Sequence, residues 1–99
     1  MQINKHLSGA ALTLEIEGRI DTTTAPALEG ELKHAVTSEI KSLVFDFAKV
    51  EYISSAGLRV LLAAQKVMKR QGSMVIKHVN DVIMEVFEVT GFSDILTIE

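Results

Sequence analysis

Leu43-Val-Phe-Asp-Phe-Ala-Lys-Val-Glu-Tyr-Ile-Ser-Ser-Ala-Gly-Leu-Arg-Val-Leu-Leu62 is the stretch on which the rest of the chain depends. Its first residues, Leu43 to Phe47, form a short apolar run that predicts a buried strand. A polar corner follows, and then an apolar stretch too long for a second strand. Between the two lies Ser54-Ser55-Ala56-Gly57, where the side chains become small as the next element begins. Ser54 is placed as an N-cap, its hydroxyl accepting from a free backbone N–H of the first helical turn. Ser55 is then the first helical residue, pointing outward at the positive end of the helix dipole. Gly57 costs a helix roughly 1 kcal/mol against alanine. Its presence in the first turn implies that something approaches the backbone closely.

Working outward, Leu12, Leu14 and Ile16 alternate with Thr13, Glu15 and Glu17, the period of a half-buried strand. With residues 2–8 and the Ser8-Gly9-Ala10 turn, this predicts a hairpin. Gly18 is expected to end the second strand, leaving 19–24 as a polar loop. Thr23 or Thr24 then caps a helix with Pro26 in its first turn and Leu28, Leu32, Ala35 and Val36 on one face, ending near Thr37-Ser38. The strand over about 42–47 reads as central and covered on both faces. The helix after the serines buries Leu58, Leu61, Leu62, Val67 and Met68 and stops with Gly72 as its C′ residue. Met74 to Ile76 gives a fourth strand. Asn80 caps a last helix that buries Val82, Ile83, Val86 and Phe87 and closes at Gly91, and Ile95 to Ile98 form a short extended piece. The order β-β-α-β-α-β-α-(β) predicts an α/β sandwich: a mixed four- to five-stranded sheet with an N-terminal β-hairpin and three to four helices.

Ninety-nine residues with 47% hydrophobic content and one proline make a single ordered domain. A net charge of -3 with scattered basic residues argues against non-specific nucleic-acid binding. The absence of cysteine removes disulfides and thiol chemistry. No apolar run reaches the roughly 18 residues of a membrane span, and the N-terminus lacks a signal-peptide core, so the chain reads as cytoplasmic. A monomer is the default expectation.

Enzyme chemistry finds little support. The flanks of Ser54 and Ser55 do not make the G-x-S-x-G elbow of a nucleophilic serine. His6, His34 and His78 have no acidic partner at a telling spacing, and no pair of them shares a metal-ligand spacing. What remains is Ser55 at an exposed helix N-terminus, where an anion or a covalent phosphate is tolerated. A phosphoryl group there adds about -1.5 to -2 charges. Spacing alone equally allows the serines to be only a cap, and Asp21 and Asp46 to be only turn and strand-end residues.

Tyr52-Ile-Ser-Ser-Ala-Gly-Leu-Arg-Val-Leu-Leu62 resembles the signature of the STAS domain family, the anti-sigma factor antagonists. The match extends to Gly18-Arg-Ile-Asp-Thr-Thr-Thr-Ala-Pro26 and to Val86-Phe-Glu-Val-Thr-Gly-Phe92, covering nearly the whole chain in order. The resemblance implies a STAS-like sandwich and makes Ser55 the phosphorylation site, with Asp21 an acidic loop residue near it. It implies partner contacts through Asp21, Thr22, Ser54, Ser55, Ala56, Gly57, Leu58 and Arg59. The unmodified protein would bind an anti-sigma factor that is also a serine kinase and so free the sigma factor. Phosphorylation of Ser55 would end that binding, and a metal-dependent serine phosphatase would reset it. Catalysis belongs to those partners, so the chain would be a substrate and not an enzyme, with no cofactor of its own. Ser54 stands where the family usually has aspartate, which keeps the cap and removes a charge. The same fold also serves non-switching modules, as scaffolds or lipid-transport subunits, and a nucleotide or anion sensor at the Ser55 helix end is a further class.

Overall fold

The computed structural model describes residues 1–99. The elements are β1 (Gln2–Ser8), β2 (Ala11–Ile20), α1 (Ala25–Ala35), β3 (Ser42–Ile53), α2 (Ser55–Gln71), β4 (Ser73–Lys77), α3 (Asp81–Thr90) and a 3-10 turn, Phe92–Asp94. The sheet runs β1-β2-β3-β4, antiparallel within the opening hairpin and parallel thereafter. After the 3-10 turn, Ile95 and Leu96 still bend, and the expected extended piece narrows to the residues around Ile98, which makes one parallel bridge to Ile76 as the stub of a fifth strand.

Both parallel crossovers, β2–α1–β3 and β3–α2–β4, step the same way across the sheet. Right-handed connections therefore place both helices on one face. Burial follows that geometry. Leu12, Leu14, Ile16, Leu43, Phe45, Phe47, Met74 and Ile76 are all at most 3% exposed. The alternate positions, Thr13, Glu15, Val44, Asp46, Val75 and Lys77, are only half-buried. The central strand is thus covered on one face, not on both as its apolar run suggested.

β3 is also twice the expected length. It has 12 residues against 10 in β2, although their ends pair, Ala11 with Ser42 and Ile20 with Ile53. The two surplus residues enter as irregularities opposite Glu15/Glu17 and Gly18/Arg19. Each adds one more exposed residue, so the burial rhythm changes from every second position to every third, at Phe47, Val50 and Ile53. The Asp46 carboxylate supports the first bulge by accepting from the Ala48 N–H at 3.0 Å. The same pairing carries β2 through Gly18 to a fully buried Ile20, so the loop before α1 is only Asp21–Thr24.

Helix boundaries differ in smaller ways. Thr24 flanks α1 but does not cap it through its side chain. Its hydroxyl accepts from the Asp21 N–H at 2.8 Å and donates to the Arg19 carbonyl at 2.8 Å. α1 stops at Ala35, before Thr37-Ser38. Gly72 has φ 177°, an extended conformation and not a left-handed C′ one. Two expected core residues face water: Val67 is 43% and Val82 61% exposed, while Val60 and Ala64 complete the buried side of α2.

Candidate functional site

The carboxyl ends of β2 and β3 meet the amino end of α2, and the serine corner is built at that junction. The Ser54 N–H donates to the Ile20 carbonyl at 2.8 Å, extending the β2–β3 ladder by one bond. Ser54 itself is extended, and its Oγ accepts from the Gly57 N–H at 3.4 Å as the N-cap. Ser55 is the first helical residue and is exposed. One serine therefore spends its hydroxyl on the helix, and the other is presented to solvent beside unpaired N–H groups.

The close approach that Gly57 implied is present, and it comes from inside the protein. The glycine is buried, and a Cβ there would meet Ile20 Cγ2 and Ile53 Cγ1, both at 2.7 Å. What approaches its backbone is the protein's own core. Leu58 is likewise 6% exposed. Of the expected contact residues, Gly57 and Leu58 thus fix the first turn of α2 against the sheet. Thr22, Ser55 and Arg59 are exposed, and Asp21, Ser54 and Ala56 are half-buried. Thr22, Ala56 and Arg59 share an open cavity of about 210 Å³ with Pro26, Glu29 and Val60.

Asp21 organises the neighbouring loop. Its Oδ1 accepts from the Thr23 hydroxyl at 2.7 Å, the Thr23 N–H at 3.0 Å and the Thr24 N–H at 3.1 Å, with the Thr24 hydroxyl oxygen 3.2 Å away. The Thr23 hydroxyl is the largest influence holding its carboxyl down at about 2, below an ordinary value of 3.8. A depressed carboxyl pKa stabilises the fold above the unfolded value. Asp21's contribution is therefore present above pH 3.8 and lost as pH falls through about 2. Replacing Thr23 by valine should raise the Asp21 midpoint toward 3.8 in an NMR pH titration. A midpoint left near 2 would refute this account of the loop.

Sequence reading missed the pair beside this loop. Arg19 and Tyr52 are register partners across the second bulge. The Arg19 guanidinium lies 4.4 Å from the Tyr52 ring centroid, with its Nε 3.6 Å from Asp21 Oδ2. It also missed two histidine–carboxylate pairs that the sheet brings together, His6 with Glu15 at 2.7 Å and His78 with Asp46 at 2.9 Å. Both histidine side chains are 63% exposed. Neither pair adjoins the serine corner in its hydrogen bonding. No group of three or more histidine, aspartate or glutamate side chains is placed to hold a metal ion.

Comparison with known proteins identifies the family and the fold. The family model described as "Mlab, STAS domain" matches residues 3–97. The anti-sigma-B factor antagonist of Listeria monocytogenes is 35% identical over 85 residues, 85% of this chain and 75% of that protein. An anti-sigma factor antagonist from Mycobacterium paratuberculosis superposes with a TM-score of 0.88 over 98% of this chain and 83% of its own, at 23% identity. SpoIIAA matches at 11% identity in both forms: unphosphorylated with TM-score 0.78 over 99% of this chain and 87% of its own, and phosphorylated with 0.77 over 99% and 91%. The family model thus spans the fold from the hairpin to the residue before the Ile98 bridge, and the chain belongs to the STAS domain family.

Proposed function

We propose that this chain is an anti-sigma factor antagonist that works by partner switching, with Ser55 as its switch. The observation that carries the reading is the division of labour at the corner. Ser54 caps α2, so the exposed Ser55 hydroxyl can be modified without loss of the cap. The unmodified protein binds an anti-sigma factor that is also a serine kinase, and the sigma factor is released in the cytoplasm. The kinase transfers the γ-phosphoryl group of ATP to the Ser55 oxygen, whose proton is lost, and ADP leaves. A metal-dependent serine phosphatase returns the hydroxyl by hydrolysis.

The physical basis of the switch is a difference between two environments. In the free protein a Ser55 phosphate lies at the α2 N-terminus, worth roughly 0.3–1 kcal/mol in its favour. Arg59, exposed one turn along the same face, adds an i,i+4 partner. In a docked complex the same charge is desolvated against the partner, at a cost of several kcal/mol. At about 1.4 kcal/mol per tenfold, binding is lost while folding is not.

Ser55→Asp should therefore unfold in urea at or slightly above the wild-type midpoint and lose the kinase by on the order of 100-fold or more in affinity. The check is a pull-down from native lysate with both proteins, followed by titration of the purified kinase. Equal binding by Ser55→Asp would overturn the switch and leave a non-switching docking module.

A further inference from the structure

A second cavity, of about 160 Å³, runs between α1 and α2, walled by Leu32 and Val36 on one side and Val60, Ala63, Ala64 and Val67 on the other. It shares Glu29 and Val60 with the cavity lined by Thr22, Ala56 and Arg59, so the two adjoin along the seam between α1 and α2. Its lining includes Val67, an apolar side chain 43% exposed to water.

The charges along this groove are one-sided. α2 carries Arg59, Lys66, Lys69 and Arg70 and no acid. All four are exposed, and none takes part in any of the seven ion pairs of the fold. Ser55, Arg59, Lys66 and Arg70 follow one another at spacings of four, seven and four, so they line a single crest of α2 beside the groove. On the opposite rim Lys33 is paired with Glu29 at 3.3 Å, which leaves that side nearly neutral. The result is an apolar trough with one cationic bank.

We propose that this groove receives an acidic amphipathic helix of the anti-sigma factor partner, its apolar side chains seated between α1 and α2 and its carboxylates along the α2 crest. The proposal rests on the partner-switching reading and adds the chemistry of the segment recognised. An apolar groove of this kind suits a helix with anchors at i, i+3 or i+4, and i+7. The unpaired cations select acidic flanks and accelerate encounter with them. It also enlarges the role of Ser55. A phosphate at the head of the crest would occupy Arg59 and set negative charge against the incoming carboxylates.

The chain has no cysteine, so Val67→Cys gives a unique attachment point for a benzophenone cross-linker in the groove. Photolysis with the purified kinase, followed by mass spectrometry of the linked peptide, reads the occupant directly. The expected product is an acidic peptide with apolar residues at helical spacing. In addition, Lys66→Glu/Arg70→Glu should weaken binding on the order of tenfold or more, with most of the salt dependence of the wild type removed. Cross-links to a second copy of the chain, to lipid, or to a neutral or basic peptide would overturn the proposal. So would the absence of any cross-link, or a double variant that binds as the wild type does. Ser55→Asp is measured in parallel. Its loss of binding with no groove cross-link refutes the groove alone, and retained binding with the acidic cross-link refutes the switch alone.

Discussion

Phe47→Ala is expected to destabilise the protein by about 3–5 kcal/mol in urea unfolding. Phe47 is 0% exposed and packs edge-on against Phe45, with ring centroids 6.2 Å apart and planes at 78°. Truncation removes the transfer energy of the ring, leaves a cavity beneath the helices, and forfeits an aromatic pair worth about 0.5–1.5 kcal/mol. It also removes the inward residue between Asp46 and Ala48, where the first bulge of β3 begins. Against a typical total stability of about 5–15 kcal/mol, this is a large share. Val44→Ala is the control. It lies on the half-buried face of the same strand and should cost only about 1 kcal/mol. Equal losses from the two variants would mean that the sheet is covered on both faces after all.

Gly72→Ala is the second large effect, about 3 kcal/mol or more of destabilisation. A Cβ at Gly72 would meet the Lys41 carbonyl carbon at 2.6 Å and its Cα at 2.9 Å. These are backbone atoms with no freedom to turn aside. Lys41 donates to the Ala10 carbonyl at 2.8 Å and accepts from the Ser73 N–H at 3.0 Å, so displacing it disturbs the hairpin turn and the starts of β3 and β4 together. The gain from restricting the unfolded chain, about 0.4–1 kcal/mol, is too small to offset this. Gly30→Ala should have the opposite sign. Gly30 lies inside α1 with nothing within 4 Å of its would-be Cβ, and alanine there should stabilise by roughly 0.5–1 kcal/mol. Paired thermal melts of the two variants would separate close packing from helix propensity.

The parts of the fold legible in sequence are those governed by neighbours a few residues apart. The Ser54 cap, the start of α2 at Ser55 and the Asn80 cap of α3, whose side chain accepts from the Ile83 N–H at 2.8 Å, all depend on offsets of three residues or fewer. The hairpin was legible because Leu12, Leu14 and Ile16 keep a strict period of two. What was hidden depends on distant segments. The bulges of β3 interrupt the period that identifies a strand, so half of the strand reads as loop. Gly57 is required by Ile20, which no local pattern connects to it. His78 meets Asp46 only because β3 and β4 lie side by side. Val82 fits a helical apolar stripe but is 61% exposed, since periodicity ranks the sides of a helix without saying how far its neighbours reach.

The wedging of Gly57 between Ile20 and Ile53, with Ser54 tied to the Ile20 carbonyl, bears on how fast a signal can pass through this corner. The first turn of α2 is held to the sheet at the very residues that flank Ser55. Under the proposed switch, a mark at Ser55 would act as local charge on a turn whose neighbours are already in contact. Such a corner would answer that mark without the microsecond-to-millisecond relaxation that lids and hinges require. The response time of such a device is set by the enzymes that write and erase the mark and by the lifetime of the complex it opposes.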